Sequence, residues 1–342
     1  MNSNLYFPAE WEKQSMVQLT WPHAATDWAE YLDDITETYL QLAELIIRFE
    51  PLLIVTPDTD TTKKQLTGLL TEEKLSMVTF CQCPTNDTWA RDHGALTLRD
   101  RENGSTLLLN FRFNGWGRKF EARLDNAINS HLVQEGIFSV PMFSHDDFVL
   151  EGGSVESDGQ GTIFTTSQCL LAPNRNQPLT QYGIEVQLRR RLHAQRIVWL
   201  DHGNLIGDDT DGHIDTIVRC APDNTLLYVS CNDPSDEQYN DFQALENQLR
   251  SLRTAEGEPF RLLPLPMPDA IFEDGERLPA TYANFLIINW GVIVPTYAQP
   301  ENDDRAVATI AQAFPGREIL RLDARNIIRQ HGSIHCLTMQ YY

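Results

Sequence analysis

The sequence predicts a mixed α/β fold made of five diverged modules in a propeller-like or solenoid arrangement. Segments with helical spacing alternate with short apolar strands along the chain, and neither half is purely helical or purely stranded. Polar clusters recur beside the strands at steps of 71, 59, 62, 71 and 52 residues. Such a recurrence indicates internal repeats, each bringing one cluster to a common centre. The clusters lie at Trp21, Asp92, Glu151, His213, Asn284 and Cys336.

Two segments predict amphipathic helices. Apolar side chains repeat at helical spacing from Ile35 to Ile46 within residues 31–50, and residues 237–252 have a similar pattern. No low-complexity tract or long linker interrupts the chain, so we expect a single domain over residues 1–342. The expected strands are PLLIVT, ALTLR, STLLLNFRF, GTIFTT, RIVWL, TIVRC, TLLYVS and FLIINWGVIVPT.

The charge of the chain narrows the class of partner. Its 48 acidic and 27 basic residues give a formal net charge of −21. This surface repels phosphate backbones and anionic lipid, which argues against nucleic-acid and membrane partners, and it attracts small cations. Solubility alone would also explain such an acidic surface, without any cationic partner.

The cellular setting follows from the cysteine content and from the apolar segments. Six cysteines in 342 residues do not suggest a disulfide scaffold. The N-terminal stretch lacks the features of a signal peptide, and no apolar run is long enough to span a membrane. We therefore expect a cytoplasmic protein, and the sequence leaves open whether it forms a homo-oligomer.

The stretch HGSIHC contains the candidate nucleophile, Cys336. A cysteine attacks as its thiolate, and a free cysteine with no such role packs as a small apolar side chain. His213 from another module would relay protons. His213 and Asp215 are two residues apart, so on a strand they would point into one cavity.

Three carboxylates, those of Asp92, Asp215 and Glu151, are poorly suited to activating a thiol because negative charge raises its pKa. They are well suited to holding a guanidinium, whose N–H groups match carboxylates in pairs. Strand alternation places Asp92 opposite Trp89 unless the chain bends there, and the glycines after Glu151 allow a close approach. The stretch FRFNGWGRKF adds Trp116 as a candidate aromatic wall for a flat cation.

With these residues aligned, the chain resembles the agmatine deiminase and bacterial-type peptidyl-arginine deiminase family of the pentein superfamily. The motifs TWARDHG, FNGWGRKF, LEGGS, GDDTDGHIDT, LPATYANF, GVIVPTY and IHCLTMQ occur in the family's order over nearly the whole chain. The resemblance implies the pentein fold, a five-module pseudo-symmetric α/β propeller forming one catalytic domain.

The resemblance also implies residue roles and a reaction. Cys336 would be the nucleophile, His213 the general acid and base, and Asp92 and Asp215 the carboxylates that hold the guanidinium. Trp89 would form a substrate wall, and Asp209 would bind the substrate's distal amine. The implied substrate is a small cationic guanidino compound, with agmatine preferred, giving N-carbamoylputrescine, a polyamine precursor. Neither a metal nor an organic cofactor is implied.

Three alternatives stay open at this point. The first is deimination of free or peptidyl arginine on the same fold. The second is a metal-dependent hydrolase, and the third is a guanidine-binding protein without catalysis, although both Cys336 and His213 are present. The metal ligands of the second alternative would come from His213, Asp215, Asp92, His93 and His335.

Overall fold

The computed structural model describes residues 4–342 as six β-sheets with helices packed against them. The described chain contains 19 strands. They are β1 Leu5–Tyr6, β2 Met16–Thr20, β3 Leu52–Thr56, β4 Val78–Gln82, β5 Leu96–Asp100, β6 Thr106–Arg112, β7 Met142–Val149, β8 Val155–Ser157, β9 Thr162–Thr166, β10 Arg196–Leu200, β11 Val218–Ala221, β12 Thr225–Ser230, β13 Arg261–Pro266, β14 Phe272–Glu273, β15 Glu276–Arg277, β16 Leu286–Ile288, β17 Gly291–Thr296, β18 Glu318–Asp323 and β19 Thr338–Tyr341.

The α-helices are mostly crossovers between strands. The longest, Leu32–Ile47, buries the apolar side that the sequence predicts, from Ile35 to Ile46. The helices of the described residues are α1 Leu32–Ile47, α2 Thr59–Thr67, α3 Glu72–Leu75, α4 Ala90–His93, α5 Gly115–Arg118, α6 Ile128–Gln134, α7 Ser167–Leu170, α8 Gln181–Arg191, α9 Tyr239–Ser251 and α10 Pro300–Ala313. None of them is long and apolar enough to cross a membrane.

One three-strand unit recurs in five of the sheets. Each unit has an antiparallel pair followed by a parallel pair, and at least one helix lies between the two parallel strands, as such a crossover requires. The units are β5–β6–β7, β8–β9–β10, β11–β12–β13, β16–β17–β18 and β19–β2–β3. The fifth unit joins the two ends of the chain, because β19 pairs with β2.

Of the six polar clusters found in the sequence, the one at Trp21 follows β2, and the other five occupy equivalent places in these units. Each lies in the few residues before the first strand of its unit. The residues concerned are Asp92, Glu151, Asp215, Asn284 and Cys336. The fold therefore repeats one position five times: the short segment that leads into the first strand of each unit, called the strand entrance below.

Most of the predicted elements are confirmed, with one strand corrected. The helix predicted over 237–252 is α9, and the strands expected from PLLIVT to TLLYVS are present. The run FLIINWGVIVPT is not one strand: β16 and β17 form an antiparallel hairpin that turns at Asn289 and Trp290. Two clusters of buried apolar side chains form the core, and the larger one contains Cys336.

Candidate active site

A narrow cavity lies just before the first strands of the repeated units. Its buried part is lined by Asp92 and Cys336, and aromatic rings of Trp89, Trp116 and Phe120 form its sides. Three further carboxylates, those of Asp27, Asp87 and Asp209, also line it. No lysine or arginine lines this cavity within residues 4–342. The cavity is thus narrow, aromatic and acidic.

Asp92 is held by neutral donors from two other segments. The Gly153 N–H donates to Oδ1 and the Trp116 indole N–H donates to Oδ2, both at 3.0 Å. Trp116 reaches it from an Asn-Gly-Trp-Gly turn with positive φ at residues 115–117, and a Cβ at Gly115 would lie 2.2 Å from the Phe120 carbonyl oxygen. The turn thus requires glycine at 115, which fixes where the indole points.

His213 lies behind Asp92 and is fully buried. Its Nδ1 is 3.6 Å from Asp92 Oδ1. Burial acts to lower the pKa of His213, but surrounding negative groups, led by Asp92, outweigh burial and hold that pKa well above its usual range. The structure therefore favours an imidazolium at this position, which is a proton donor.

Cys336 lies within reach of two polar side chains. Its Sγ is 3.8 Å from Asp215 Oδ2 and 3.4 Å from Asn284 Oδ1. Burial, together with the carboxylates of Asp215 and Asp92, raises the pKa of the Cys336 thiol well above its usual range. In the unliganded protein the thiol is therefore neutral, and a bound cation beside it would favour the thiolate.

The glycine of HGSIHC makes room for Trp89. A Cβ on Gly332 would lie 2.1 Å from the six-membered ring of Trp89, so the backbone before Cys336 packs directly on the indole. The indole N–H in turn donates to Asp87 Oδ2 at 3.0 Å. Burial raises the pKa of Asp87 to about 7, and the Asp27 carboxylate adds to this shift.

Two local expectations from strand alternation are wrong. Asp92 is not opposite Trp89, because residues 90–93 form the short helix α4, and both side chains line the cavity. His213 and Asp215 are not on a strand: residues 214–216 form a 3₁₀ turn after positive φ at Asp211 and Gly212. Both side chains come within about 3 Å of the place where a Cβ of Gly153 would be, but neither of them lines the cavity.

Glu151 does not line the cavity. Its Oε1 accepts a hydrogen bond at 3.0 Å from Arg175, and both side chains are fully buried. The structure therefore differs from the expectation that Glu151 grips a ligand directly. It contributes instead to the negative surroundings that raise the pKa of His213.

Only one aspartate of the GDDTDG stretch faces the cavity. Asp209 lines it, whereas Asp208 accepts hydrogen bonds from Thr210 and Gly212 inside its own loop. Asp211 pairs with Arg175 at 2.6 Å. This loop thus contributes one carboxylate to the cavity lining, and the other two carboxylates make hydrogen bonds and an ion pair that fix the loop.

The proposed metal ligands do not gather in one place. Within the described residues, the groups of three potential ligands are Glu151–Cys169–His213 and Glu10–Glu156–His335, and neither includes Asp92, Asp215 or His93. His93 contacts Thr20 instead, 3.2 Å from its hydroxyl. Arginine guanidinium groups already contact the carboxylates of both groups, so the donor sets are poorly suited to a cation.

Comparisons with known proteins identify the family of the chain. The family description "Porphyromonas-type peptidyl-arginine deiminase" matches residues 6–341. The chain belongs to this family. A curated relative from Legionella pneumophila, described provisionally as an agmatine deiminase, is 35% identical over 338 residues, which cover 98% of this chain and 94% of the relative.

Two solved structures of the family are similar throughout. A Porphyromonas gingivalis protein, described provisionally as an arginine deiminase, is 46% identical with a TM-score of 0.92, and the match covers 98% of each chain. The C. jejuni agmatine deiminase with substrate bound is 36% identical with a TM-score of 0.91. That match covers 99% of this chain and 96% of the other. The mixed α/β fold of the family therefore extends over nearly all of this chain.

Sequence reasoning missed several residues of this site. Asn284 served only as a landmark, although its Oδ1 accepts from the His335 backbone N–H at 2.9 Å and contacts Cys336. Gly153 and Gly332 were seen only as turn residues. Asn284 and Gly153 lie within the family motifs LPATYANF and LEGGS, which is the signal that could have identified them, whereas Gly332 lies just before the motif IHCLTMQ.

Proposed function

We propose that this protein is an agmatine deiminase, which converts agmatine and water to N-carbamoylputrescine and ammonia. One observation carries the proposal: a buried thiol and the buried Asp92 carboxylate line the inner end of an acidic, aromatic cavity, and a second buried carboxylate, that of Asp215, lies 3.8 Å from the thiol. Asp92 and Asp215 would hold the guanidinium, with Trp89 and Trp116 beside its flat faces.

The outer part of the cavity favours agmatine over arginine. Asp27, Asp87 and Asp209 are suited to the distal ammonium of agmatine. Free arginine carries a carboxylate there as well, and the described lining offers it no lysine or arginine. Burial and the Asp27 carboxylate raise the pKa of Asp87. A nearby ammonium would lower this pKa again and so favour the ionised carboxylate.

The first half of the reaction forms a covalent intermediate. The guanidinium offsets the charge of the two carboxylates, so the Cys336 thiol loses its proton to water, and the resulting thiolate attacks the central guanidinium carbon. The carbon–nitrogen bond then breaks, His213 gives a proton to the departing nitrogen, and ammonia leaves. The product of this half is a thiouronium joined to Cys336.

Water completes the reaction. His213, now neutral, takes a proton from water as the water oxygen attacks the thiouronium carbon. The carbon–sulfur bond breaks, and Cys336 leaves as the thiolate. The remaining O–H proton passes from the protonated ureido group to the thiolate, which gives the uncharged ureido group of the product, the neutral Cys336 thiol and the protonated His213 of the starting state. Neither an organic cofactor nor a metal has a role in these steps.

Ammonia release from agmatine, arginine and arginyl peptides tests the proposal. We expect release from agmatine with the highest kcat/KM. We expect Cys336→Ala to reduce this release to the uncatalysed background while agmatine binding, measured by calorimetry, persists. Unchanged turnover in Cys336→Ala would contradict the assignment of the nucleophile.

The same assay distinguishes the alternatives. Arginyl peptides turned over faster than agmatine would make the protein a peptidyl-arginine deiminase, as the family description suggests. Binding of agmatine by the wild-type protein without ammonia release would indicate a guanidine-binding protein. Activity that disappears in chelator and returns with added metal would support the metal-dependent hydrolase.

We also propose that the five repeated units are the modules of a pseudo-symmetric propeller within one catalytic domain. Their common strand pairing and the equivalent position of the five polar clusters support this. The proposed setting is the cytoplasm, where thiols stay reduced, as the six free cysteines would require. The product would serve putrescine formation.

A further inference from the structure

A second histidine, His335, lies between two carboxylates directly behind the cavity. Its Nδ1 is 2.7 Å from Asp215 Oδ2, and its Nε2 is 2.7 Å from Glu10 Oε1. His335 is only 1% exposed, and it does not line the cavity. It joins the N-terminal segment to the strand entrance that contains Asp215.

Both contacts are hydrogen bonds only when both ring nitrogens carry a proton. A neutral imidazole has one N–H and would leave the other nitrogen facing a carboxylate oxygen. Glu10 favours the charged arrangement: burial acts to raise its pKa, but the charges of His335, Arg219 and Arg91 hold it well below its usual range. The two carboxylates, each 2.7 Å from one ring nitrogen, therefore fix the orientation of the His335 ring.

Glu10 is fixed from several directions. Arg219 lies 2.6 Å from its Oε2 and Arg91 lies 3.3 Å from its Oε1. Gln340 of β19 donates to Oε2 at 3.1 Å. Since these partners come from separate segments, Glu10 is a rigid support for the far side of the His335 ring.

The two oxygens of Asp215 have different surroundings. Oδ2 faces both His335 and the Cys336 thiol, whereas Oδ1 is buried and has no hydrogen-bond partner in the described residues. A buried carboxylate oxygen that accepts no hydrogen bond destabilises the protein. A bound guanidinium that donated an N–H to Oδ1 would supply the missing hydrogen bond.

We propose that His335 is a positioning residue for the reaction: fixed by Glu10, it orients Asp215 so that Oδ1 stays available to the substrate's guanidinium. The inference rests on the proposed function. His335 acts through Asp215 and does not itself contact the substrate.

The ionisation of Asp215 provides a specific readout. Burial acts to raise the pKa of Asp215, and the hydrogen bond and charge of His335 are the largest influences that lower it. The other groups that face Asp215 are His213 and Arg219, which also lower its pKa, together with Asp92 and the Cys336 thiol. Removing His335 should therefore raise the pKa of Asp215 and require a higher pH for guanidinium binding.

The experiment compares His335→Ala, His335→Asn and Glu10→Gln with the wild type over a range of pH, using agmatine. Asparagine can keep an N–H near the position of Nδ1 while losing the contact with Glu10. The matched control is His202→Asn, because His202 also pairs with an aspartate, Asp241 at 3.3 Å, but is exposed and remote from the cavity.

We expect His335→Ala to lower kcat/KM by about 100-fold, the size of effect that misplacement by about 1 Å can produce. The acid limb of its profile of kcat/KM against pH should move to higher pH. His335→Asn should show a smaller loss of kcat/KM and a smaller shift of this limb. Glu10→Gln should move the limb in the same direction. His202→Asn should match the wild type. If His335→Ala does not fold, His335→Asn and Glu10→Gln decide the question.

Wild-type acid limbs in His335→Asn and Glu10→Gln would overturn the inference, and so would equal losses at every pH in these variants. Failure of the proposed function would look different, since the wild type itself would release no ammonia from agmatine. In that case the dissociation constant of agmatine is compared between Cys336→Ala and the same chain with His335→Ala added. Equal constants would again overturn the role of His335.

Discussion

Gly153 lies where three side chains of the site converge. A Cβ at this position would be 2.7 Å from His213 Nδ1, 3.0 Å from Asp92 Oδ1 and 3.1 Å from Asp215 Oδ2. Its φ is not in the left-handed region, so the requirement for glycine is one of space alone. The absence of a side chain is therefore what allows the His213 imidazole and the carboxylates of Asp92 and Asp215 to approach one another.

Gly153→Ala should consequently damage activity much more than folding. Overpacking of this kind typically costs about 1–3 kcal/mol, and displacement of the three groups should lower kcat by about 100-fold or more. Ammonia release and urea unfolding measure the two effects. Gly183→Ala in α8 is the matched control: its Cβ would meet its nearest neighbour at an ordinary 3.4 Å, so activity should be unchanged. Near-normal kcat in Gly153→Ala would show that the three side chains need no such proximity.

At the scale of the elements, periodicity was sufficient where one apolar face decides the structure. The helix within 31–50 follows from its pattern because its apolar side chains are the buried ones. The strand in PLLIVT follows because the whole apolar run is buried. Alternation was misleading around Asp92 and His213, where α4 and a 3₁₀ turn replace the expected strands. There the backbone is determined by contacts with other units, which a local pattern does not contain.

The pairing of site residues was beyond the sequence for the same reason. The spacing of Glu151 and Arg175 does not indicate that one neutralises the other in the interior. Glu10 and His335 are separated by almost the whole chain and meet only because β19 returns to β2. What could be predicted was the set of residue types needed to hold a guanidinium, and the order of the family motifs added their identities.

The return of β19 makes the last strand important for stability. Met339 is 2% exposed, packs in the second apolar cluster and lies against Gly94 and Gly152 beside the site. Met339→Ala should lower the free energy of unfolding by about 2–5 kcal/mol, with an unchanged urea m-value. The control Tyr182→Ala, at a side chain that is 77% exposed, should stay within about 0.5 kcal/mol of the wild type. A loss below 1 kcal/mol in Met339→Ala would mean that the C-terminal strand adds little to the core.

At the scale of the whole molecule, the net charge of −21 and the acidic cavity act in the same direction. The acidic surface raises the local concentration of small cations, and the carboxylates of the cavity lining continue that attraction to the place where the ligand binds. Agmatine carries two positive charges, one on the guanidinium and one on the amine. It should therefore benefit more than a ligand with a guanidinium alone.

Ionic strength tests this attraction directly. Raising it from about 0.01 M to about 1 M shortens the screening length from about 30 Å to about 3 Å, so long-range attraction is lost while contacts within the cavity largely persist. We expect kcat/KM for agmatine to fall steeply with salt, and kcat/KM for butylguanidine, which lacks the amine, to fall less. Thermal unfolding at each salt concentration controls for changes in the protein itself. Equal salt dependence for the two compounds would indicate that the amine is not attracted by the acidic lining. In that case the preference for agmatine would have to come from the shape of the cavity.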